Sequence, residues 1–319
     1  MEQASIPVAV GPAPAAAEGA AEGTETSWAV DAIRRGGGRP VPLDEGPVGL
    51  VWTKTRAVGE LRAVLGAHPE ITWVQLPSAG IEPVAEAGLL DHQRQWTSAK
   101  GAYAEPVAEH ALALLLAGLR HLPERARARS WGKPYAQTLF DEPVTIVGGG
   151  GITSALVRLL EPFRVRVTVV RRSPEPVPGA VATIGSDRLR EALPGARAVV
   201  LALALTADNR GLIGREEFAA MDEQAWLVNV ARGGLVDTGA LVDALRSRTI
   251  GGAALDVTDP EPLPGGHPLW DLPNCLITPH TADTEEMTQP LLASRIAENV
   301  RRLANGQELT GRVDPDLGY

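Results

Sequence analysis

The sequence predicts a two-domain α/β protein in which each domain is a doubly wound parallel sheet. Three observations carry this expectation. Short apolar runs alternate with helical patterns along most of the chain, the alternation restarts near residue 144, and a four-glycine turn follows the first strand of the restart. With 319 residues there is material for two cores, and 44% apolar with 22% charged residues is ordinary for a globular chain.

The first run opens with a strand at residues 7–10 and a helix at 27–35 stopped by Gly36-Gly37-Gly38. Residues 12–25 are rich in Ala, Gly, Pro and Glu and lack large apolar side chains, which reads as a mobile loop or frayed helix start. Strands follow at 40–43, 49–52 and 73–76, with a helix over 58–66. A short helix at 82–88 carries Pro83 in its first turn, and a strand at 95–98 completes the unit. The strongest helix signal spans 105–122, with Pro106 in its first turn and an apolar stripe of Ala108, Ala111, Leu112, Leu115, Leu116 and Leu119. Residues 123–143 read as an irregular charged segment anchored by Trp131 and Tyr135.

The second run places strands at 144–147, 165–170, 198–205, 225–229, 252–255 and 276–278, and a helix at 238–247. A long amphipathic helix over 284–305 closes the pattern. The expected division is a flavodoxin-like substrate domain, residues 1–100 with 284–319, and a Rossmann dinucleotide-binding domain, residues 101–283. A ligand cleft is expected between them.

A net charge of -9 argues against a nucleic-acid surface or an anionic membrane as partner. The start, Met1-Glu2-Gln3, is acidic, and no apolar run reaches membrane-spanning length. The single cysteine, Cys275, excludes an internal disulfide framework, and no histidine–carboxylate spacing suggests a metal site. A cytoplasmic protein acting on a small molecule is the expectation.

Gly148-Gly149-Gly150-Gly151-Ile152-Thr153 follows a strand and opens a helix, the context in which glycines bring backbone close to a pyrophosphate at a helix N-terminus. The simpler alternative is a flexible strand-to-helix loop. Thr153 stands where the third fingerprint glycine is expected, so the helix is expected farther from the strand or the cofactor bound less tightly. The next strand ends in Val170-Arg171-Arg172-Ser173, which offers cations and a hydroxyl where a ribose-binding carboxylate is usual. That points to NADP(H), with NAD(H) as the alternative and a solvated basic turn as the non-functional reading.

Three later motifs place an arginine, a glutamate and a histidine in order. They are Asn229-Val230-Ala231-Arg232-Gly233-Gly234, Leu255-Asp256-Val257-Thr258-Asp259-Pro260-Glu261-Pro262, and Thr278-Pro279-His280-Thr281-Ala282. A guanidinium grips a carboxylate through two parallel hydrogen bonds, and a histidine oriented by a carboxylate passes a proton near neutral pH. Beside a dinucleotide turn, this is equipment for moving a hydride onto a 2-oxo acid. Each residue also has a structural reading: Arg232 as a capping cation, Glu261 as a solvated loop carboxylate, His280 as a strand-end histidine. The remaining five histidines, His110 among them, read as structural.

These residues resemble the D-isomer-specific 2-hydroxyacid dehydrogenase family, weakly over the first seventy residues and densely from Val74 onward. The resemblance implies that Arg232 binds the substrate carboxylate, His280 donates the proton, and Glu261 hydrogen-bonds to His280. It implies that Asp256 meets the nicotinamide carboxamide, that Ser78-Ala79-Gly80 closes on the carboxylate, and that Gly148, Gly150, Gly151, Ile152, Thr206 and Val230 line the cofactor. It also implies a homodimer paired through the Rossmann domains, with the helix from Glu105 and the Trp131 segment at the interface. Within the family, a glyoxylate/hydroxypyruvate reductase is the leading expectation and a D-3-phosphoglycerate dehydrogenase the runner-up. A nucleotide-sensing corepressor on the same fold stays open, favoured by Thr153.

Overall fold

The apolar runs of the first hundred residues become strands in the computed structural model, which describes residues 5–12 and 26–318. From residue 13 onward the low-complexity stretch lies outside the described residues, as does Met1-Glu2-Gln3. Two units form, one from Met1–Tyr103 with Thr284–Tyr319 and one from Ala104–Asp283.

In the first unit β1 (Pro7–Gly11) is followed by α1 (Ser27–Arg35), β2 (Arg39–Pro40), β3 (Gly49–Trp52), α2 (Val58–Ala67), β4 (Trp73–Gln75), α3 (Glu82–Glu86) and β5 (Gln95–Thr97). The sheet is parallel throughout, in the order β2-β1-β3-β4-β5. That is the flavodoxin-like order, with its reversal between β1 and β3. The strand expected at 40–43 shrinks to Arg39–Pro40, because Pro40 and Pro42 have no N–H to give a ladder and Leu43–Glu45 turns into a 3-10 helix.

The second unit begins with α4 (Ala104–Leu119), α5 (Leu122–Arg127), β6 (Pro143–Val147), α6 (Gly151–Leu160), β7 (Arg166–Arg171) and β8 (Ala182–Gly185). It continues through β9 (Ala198–Leu201), α7 (Arg215–Ala220), β10 (Trp226–Asn229), α8 (Thr238–Arg246), β11 (Gly252–Leu255) and β12 (Cys275–Ile277). These seven strands pair in parallel in the order β12-β11-β10-β9-β6-β7-β8, a Rossmann order extended by one strand. Every residue of β9, β10 and β11 is buried, which is why they read as unbroken apolar runs.

Two expectations change here. The helix expected over 105–122 breaks at His121, whose backbone is left-handed at φ 52°, and α5 restarts with Pro123 in its first turn. Trp131 is not an anchor within this chain: it is 96% exposed, while the half-exposed Tyr135 stacks on His121 with ring centroids 4.7 Å apart. The half-buried edge strand β8 had no apolar run to announce it.

The last helix, α9 (Glu285–Ala304), returns the chain to the first unit. It lies so close to the end of α1 that a Cβ on Gly36 would come within 2.6 Å of the Ala297 carbonyl. The fully buried Asn299 donates to Gln75 Oε1 at 3.0 Å, and Thr97 Oγ1 donates to the same oxygen at 2.9 Å. Beyond α9 the chain runs along β5, with Ser98 N–H donating to the Gly311 carbonyl at 2.8 Å and Val313 N–H to the Trp96 carbonyl at 2.9 Å.

Candidate active site

Because all strands of the second sheet are parallel, the segments leaving their carboxyl ends emerge along one edge. That edge carries, in spatial order, Thr278 to His280 after β12, Asp256 after β11, Val230 to Arg232 after β10, and the segment leading to Thr206 after β9. The glycine turn after β6 and Arg171 to Ser173 at the tip of β7 complete it. Six adjacent strands span about 24 Å at ordinary strand spacing. The residues that the sequence scattered over more than a hundred positions are therefore one row, acid–base groups at one end and cations at the other.

At the cation end, Gly148 adopts φ 121°, and a Cβ there would collide with the Ala202 carbonyl. Gly150, the residue before α6, is different: an added Cβ would meet nothing within 4 Å. The protein's own packing does not demand glycine at Gly150, whereas a dinucleotide pyrophosphate against the backbone does. The amides of Gly151 and Ile152 open α6 as the first-turn donors such a group would meet. The Arg171 side chain lies over Gly149, where a Cβ would be 2.6 Å from its Cδ, and Arg172 and Ser173 follow in an exposed bend. The turn and the arginine tip are thus in contact, and the residues present fit a phosphorylated dinucleotide.

Thr153 is fully buried, and its Oγ1 donates to the Gly148 carbonyl at 2.9 Å. Its hydroxyl latches the turn that the missing glycine was expected to loosen. Thr206 caps a short 3-10 turn, its N–H donating to Asn209 Oδ1 at 2.7 Å, and Val230 is buried behind the edge.

At the acid–base end, Asn229 closes the loop that carries Arg232: its Nδ2 donates to the Arg232 carbonyl at 2.9 Å and its Oδ1 accepts from Ala231 N–H at 3.0 Å. Gly233 packs so tightly on the Thr258 carbonyl that no side chain fits, which sets this loop against the segment leading to Glu261. One guanidinium nitrogen of Arg232 donates to the Ala231 carbonyl at 2.7 Å. Glu261 Oε1 lies 2.7 Å from His280 Nδ1, and both side chains are about two-fifths exposed, so the opposite ring nitrogen, Nε2, is the one left to exchange a proton. Asp283 is half-buried nearby; burial raises its carboxyl above the ordinary range, while the charges of His280 and Arg232 pull it down.

Asp256 is 2% exposed. Its carboxylate accepts from Thr278 Oγ1 at 2.5 Å, Thr281 N–H at 2.9 Å and Ala282 N–H at 3.1 Å, with His110 Nε2 at 3.2 Å. Burial alone would raise its pKa, but these donors outweigh it and bring the value down to about 2. His110 is the site residue that sequence reasoning missed. It looked like one more polar position on a core helix, and its partner Thr278 is 168 residues away. Ser78, Ala79 and Gly80 belong to the first unit, where they follow β4 and Ser78 Oγ donates to the Gly80 carbonyl at 2.6 Å. Burial pushes the Cys275 thiol up to about 12, which leaves it inert.

Residues 111–282 match the family model described as D-isomer specific 2-hydroxyacid dehydrogenase, NAD binding domain. An uncharacterized protein in the proB 3' region of Corynebacterium melassecola is 39% identical over 255 residues, 78% of this chain and 84% of that protein. The glyoxylate reductase/hydroxypyruvate reductase of Mus musculus is 30% identical over 290 residues, covering 86% of this chain and 88% of that protein. Among solved structures, a D-isomer specific 2-hydroxyacid dehydrogenase from Xanthobacter autotrophicus Py2, in complex with NADPH and MES, matches with a TM-score of 0.82 at 27% identity. The match covers 99% of this chain and 100% of that one.

Proposed function

The chain belongs to the D-isomer specific 2-hydroxyacid dehydrogenase family, and from that membership we propose that it is an NADPH-dependent reductase of glyoxylate and hydroxypyruvate. As a family member it is an NAD(P)-dependent oxidoreductase that moves a hydride between a nicotinamide dinucleotide and a 2-oxo or 2-hydroxy acid. The observation that carries the reading is the 2.7 Å contact of Glu261 with His280, on the edge that also bears the Arg232 loop.

A bound nicotinamide dinucleotide would supply the hydride. Arg232 grips the substrate carboxylate through paired hydrogen bonds and draws electron density from the adjacent carbonyl. As the carbonyl carbon gains the hydride, His280 Nε2 gives its proton to the developing alkoxide, and Glu261 on Nδ1 holds the ring in the orientation that makes this transfer direct. In the reverse direction His280 accepts the proton. Gly148, Gly150, Gly151 and Ile152 would hold the pyrophosphate, Thr206 and Val230 the middle of the cofactor, and Asp256 the carboxamide end. Ser78, Ala79 and Gly80 are assigned to the substrate carboxylate on the family resemblance. Arg171 beside Gly149, with Arg172 and Ser173, supports recognition of a 2′-phosphate and hence NADPH. Thr153 does not favour a non-enzymatic corepressor, since its hydroxyl secures the turn.

We place the enzyme in the cytoplasm as a homodimer. Leu122, Trp131, Tyr135 and Phe140 are all exposed in one stretch of the second unit, which supports pairing with a second copy there. Among the described residues no helix is long and apolar enough to cross a membrane.

The test is absorbance of NADPH and NADH mixed with glyoxylate, hydroxypyruvate, pyruvate and the phosphorylated analogue of hydroxypyruvate. NADPH with the first two should turn over fastest, His280→Ala should lower kcat by about 10²-fold or more, and Arg171→Asp should remove the preference for NADPH. No oxidation of either cofactor across the panel overturns the reading, and faster turnover of the phosphorylated acid overturns the substrate class.

A further inference from the structure

The turn that presents His280 is held in an unusual backbone. His280 has φ 53°, a left-handed conformation that a residue with a Cβ adopts only when its surroundings enforce it. What enforces it is Asp256. The Asp256 carbonyl accepts His280 N–H at 2.9 Å, and its carboxylate takes the N–H groups of the next two residues, Thr281 and Ala282. Three consecutive amides around the proton donor are therefore tied to one residue at the end of β11. The carboxylate needs further donors to stay in place, because a buried anion with too few partners is costly. Thr278 gives its only hydroxyl proton to Asp256 Oδ1 at 2.5 Å, so the His110 nitrogen 3.0 Å from Thr278 Oγ1 must be the donor in that contact. The same His110 Nε2–H lies 3.2 Å from Asp256 Oδ1. His110 thus reaches from α4 to complete the donor set on the residue that fixes the His280 turn, through hydrogen-bond contacts with Thr278 and Asp256.

We propose that His110 is a positioning residue for proton transfer: through Nε2–H it holds Asp256 and Thr278 in the arrangement that keeps the His280 turn left-handed. The inference rests on the reductase reading for its kinetic arm, and a second arm is independent of activity. His110→Leu keeps bulk on α4 and removes the donor, while His110→Gln returns an N–H at a similar reach.

The expected results are a fall in kcat of about 10-fold or more in His110→Leu, up to the range that general acid catalysis supplies, at an unchanged KM for glyoxylate, whose carboxylate is assigned to Arg232 and not to Asp256. His110→Gln should recover most of that loss. In a His280→Ala background, His110→Leu should lower the residual kcat no further, because both changes act through one group. The activity-independent arm is NMR of labelled histidine rings, with the His280 signals identified by their absence in His280→Ala. In His110→Leu these signals should shift or broaden, and His110→Gln should restore them. Unaltered His280 signals in His110→Leu overturn the proposal whether or not the protein is a reductase. So does an equal loss of kcat in the His280→Ala background, or a loss expressed in the KM for glyoxylate. A wild type that oxidises no cofactor, with His280 signals that do respond, instead sinks the reductase reading and leaves the positioning role standing.

Discussion

Restoring the fingerprint glycine at Thr153 should damage the protein. Thr153 is fully buried, and its hydroxyl donates to the buried Gly148 carbonyl at 2.9 Å. Thr153→Gly leaves that carbonyl without this donor, at about 1–3 kcal/mol for a buried acceptor. It also uncovers a buried methyl worth about 0.8 kcal/mol and adds a few tenths for glycine in a helix, roughly 0.3–0.5 kcal/mol. The sum is about 2–4 kcal/mol, or on the order of 10 °C in Tm for a unit of this size. Two companions separate the causes. Thr153→Ser keeps the hydroxyl and should lose only about 1 kcal/mol, whereas Thr153→Val keeps the shape and should lose about 1–3 kcal/mol. Thermal and urea denaturation read the stability order, wild type above Ser above Val and Gly. NADPH titration followed by fluorescence reads the turn, with weaker binding expected in Val and Gly. A Thr153→Gly protein that is as stable as wild type and binds NADPH more tightly refutes the latch.

Two further outcomes follow from the same geometry. The Asp256 carboxyl is depressed from its ordinary 3.8 to about 2, so its stabilising contribution is complete above the ordinary value and disappears as pH falls through the folded one; urea unfolding from about pH 4 to pH 2 should decline more steeply in wild type than in Asp256→Asn, and parallel curves would contradict this. Gly118 lies inside α4, where alanine normally adds about 1 kcal/mol, yet a Cβ there would fall 2.7 Å from Cδ2 of the buried Trp226 ring, so Gly118→Ala should lower Tm, and a rise would show that the helix can shift to make room.

Much of this was legible because the relevant forces are local. The buried strands of the second sheet are continuous apolar runs, and α9 lies between Thr284 and Asn305, where its amphipathic pattern starts and stops. Arg232, Glu261 and His280 were visible because each sits in a loop with glycine or proline neighbours, and the structure pairs two of them directly. What stayed hidden depends on contacts distant in sequence. His110 occupies a helix whose stripe reads as core, and only the folding of β11 and β12 beside it brings Asp256 and Thr278 within reach. Thr153 looked like a defect because the sequence shows its bulk and not the carbonyl its hydroxyl finds. At the break the left-handed residue is a histidine and not a glycine, and the exposure of Trp131 contradicts the usual behaviour of its side chain.

The first unit is assembled from two stretches of chain with the whole second unit between them. During synthesis, residues up to Tyr103 leave the ribosome long before α9 does, by roughly 10–40 s at usual elongation rates. In that interval the face around Ile33, Gly36 and Gly38 lacks Val300, Gln75 and Thr97 lack Asn299, and the outer edge of β5 lacks the strand-like run through Gly311 and Val313. The second unit, continuous in sequence, can finish folding first. The nascent protein is therefore a five-stranded sheet that still lacks α9 and the cover of its β5 edge, tethered to a completed unit, and its period of greatest exposure to misassociation ends only when α9 arrives.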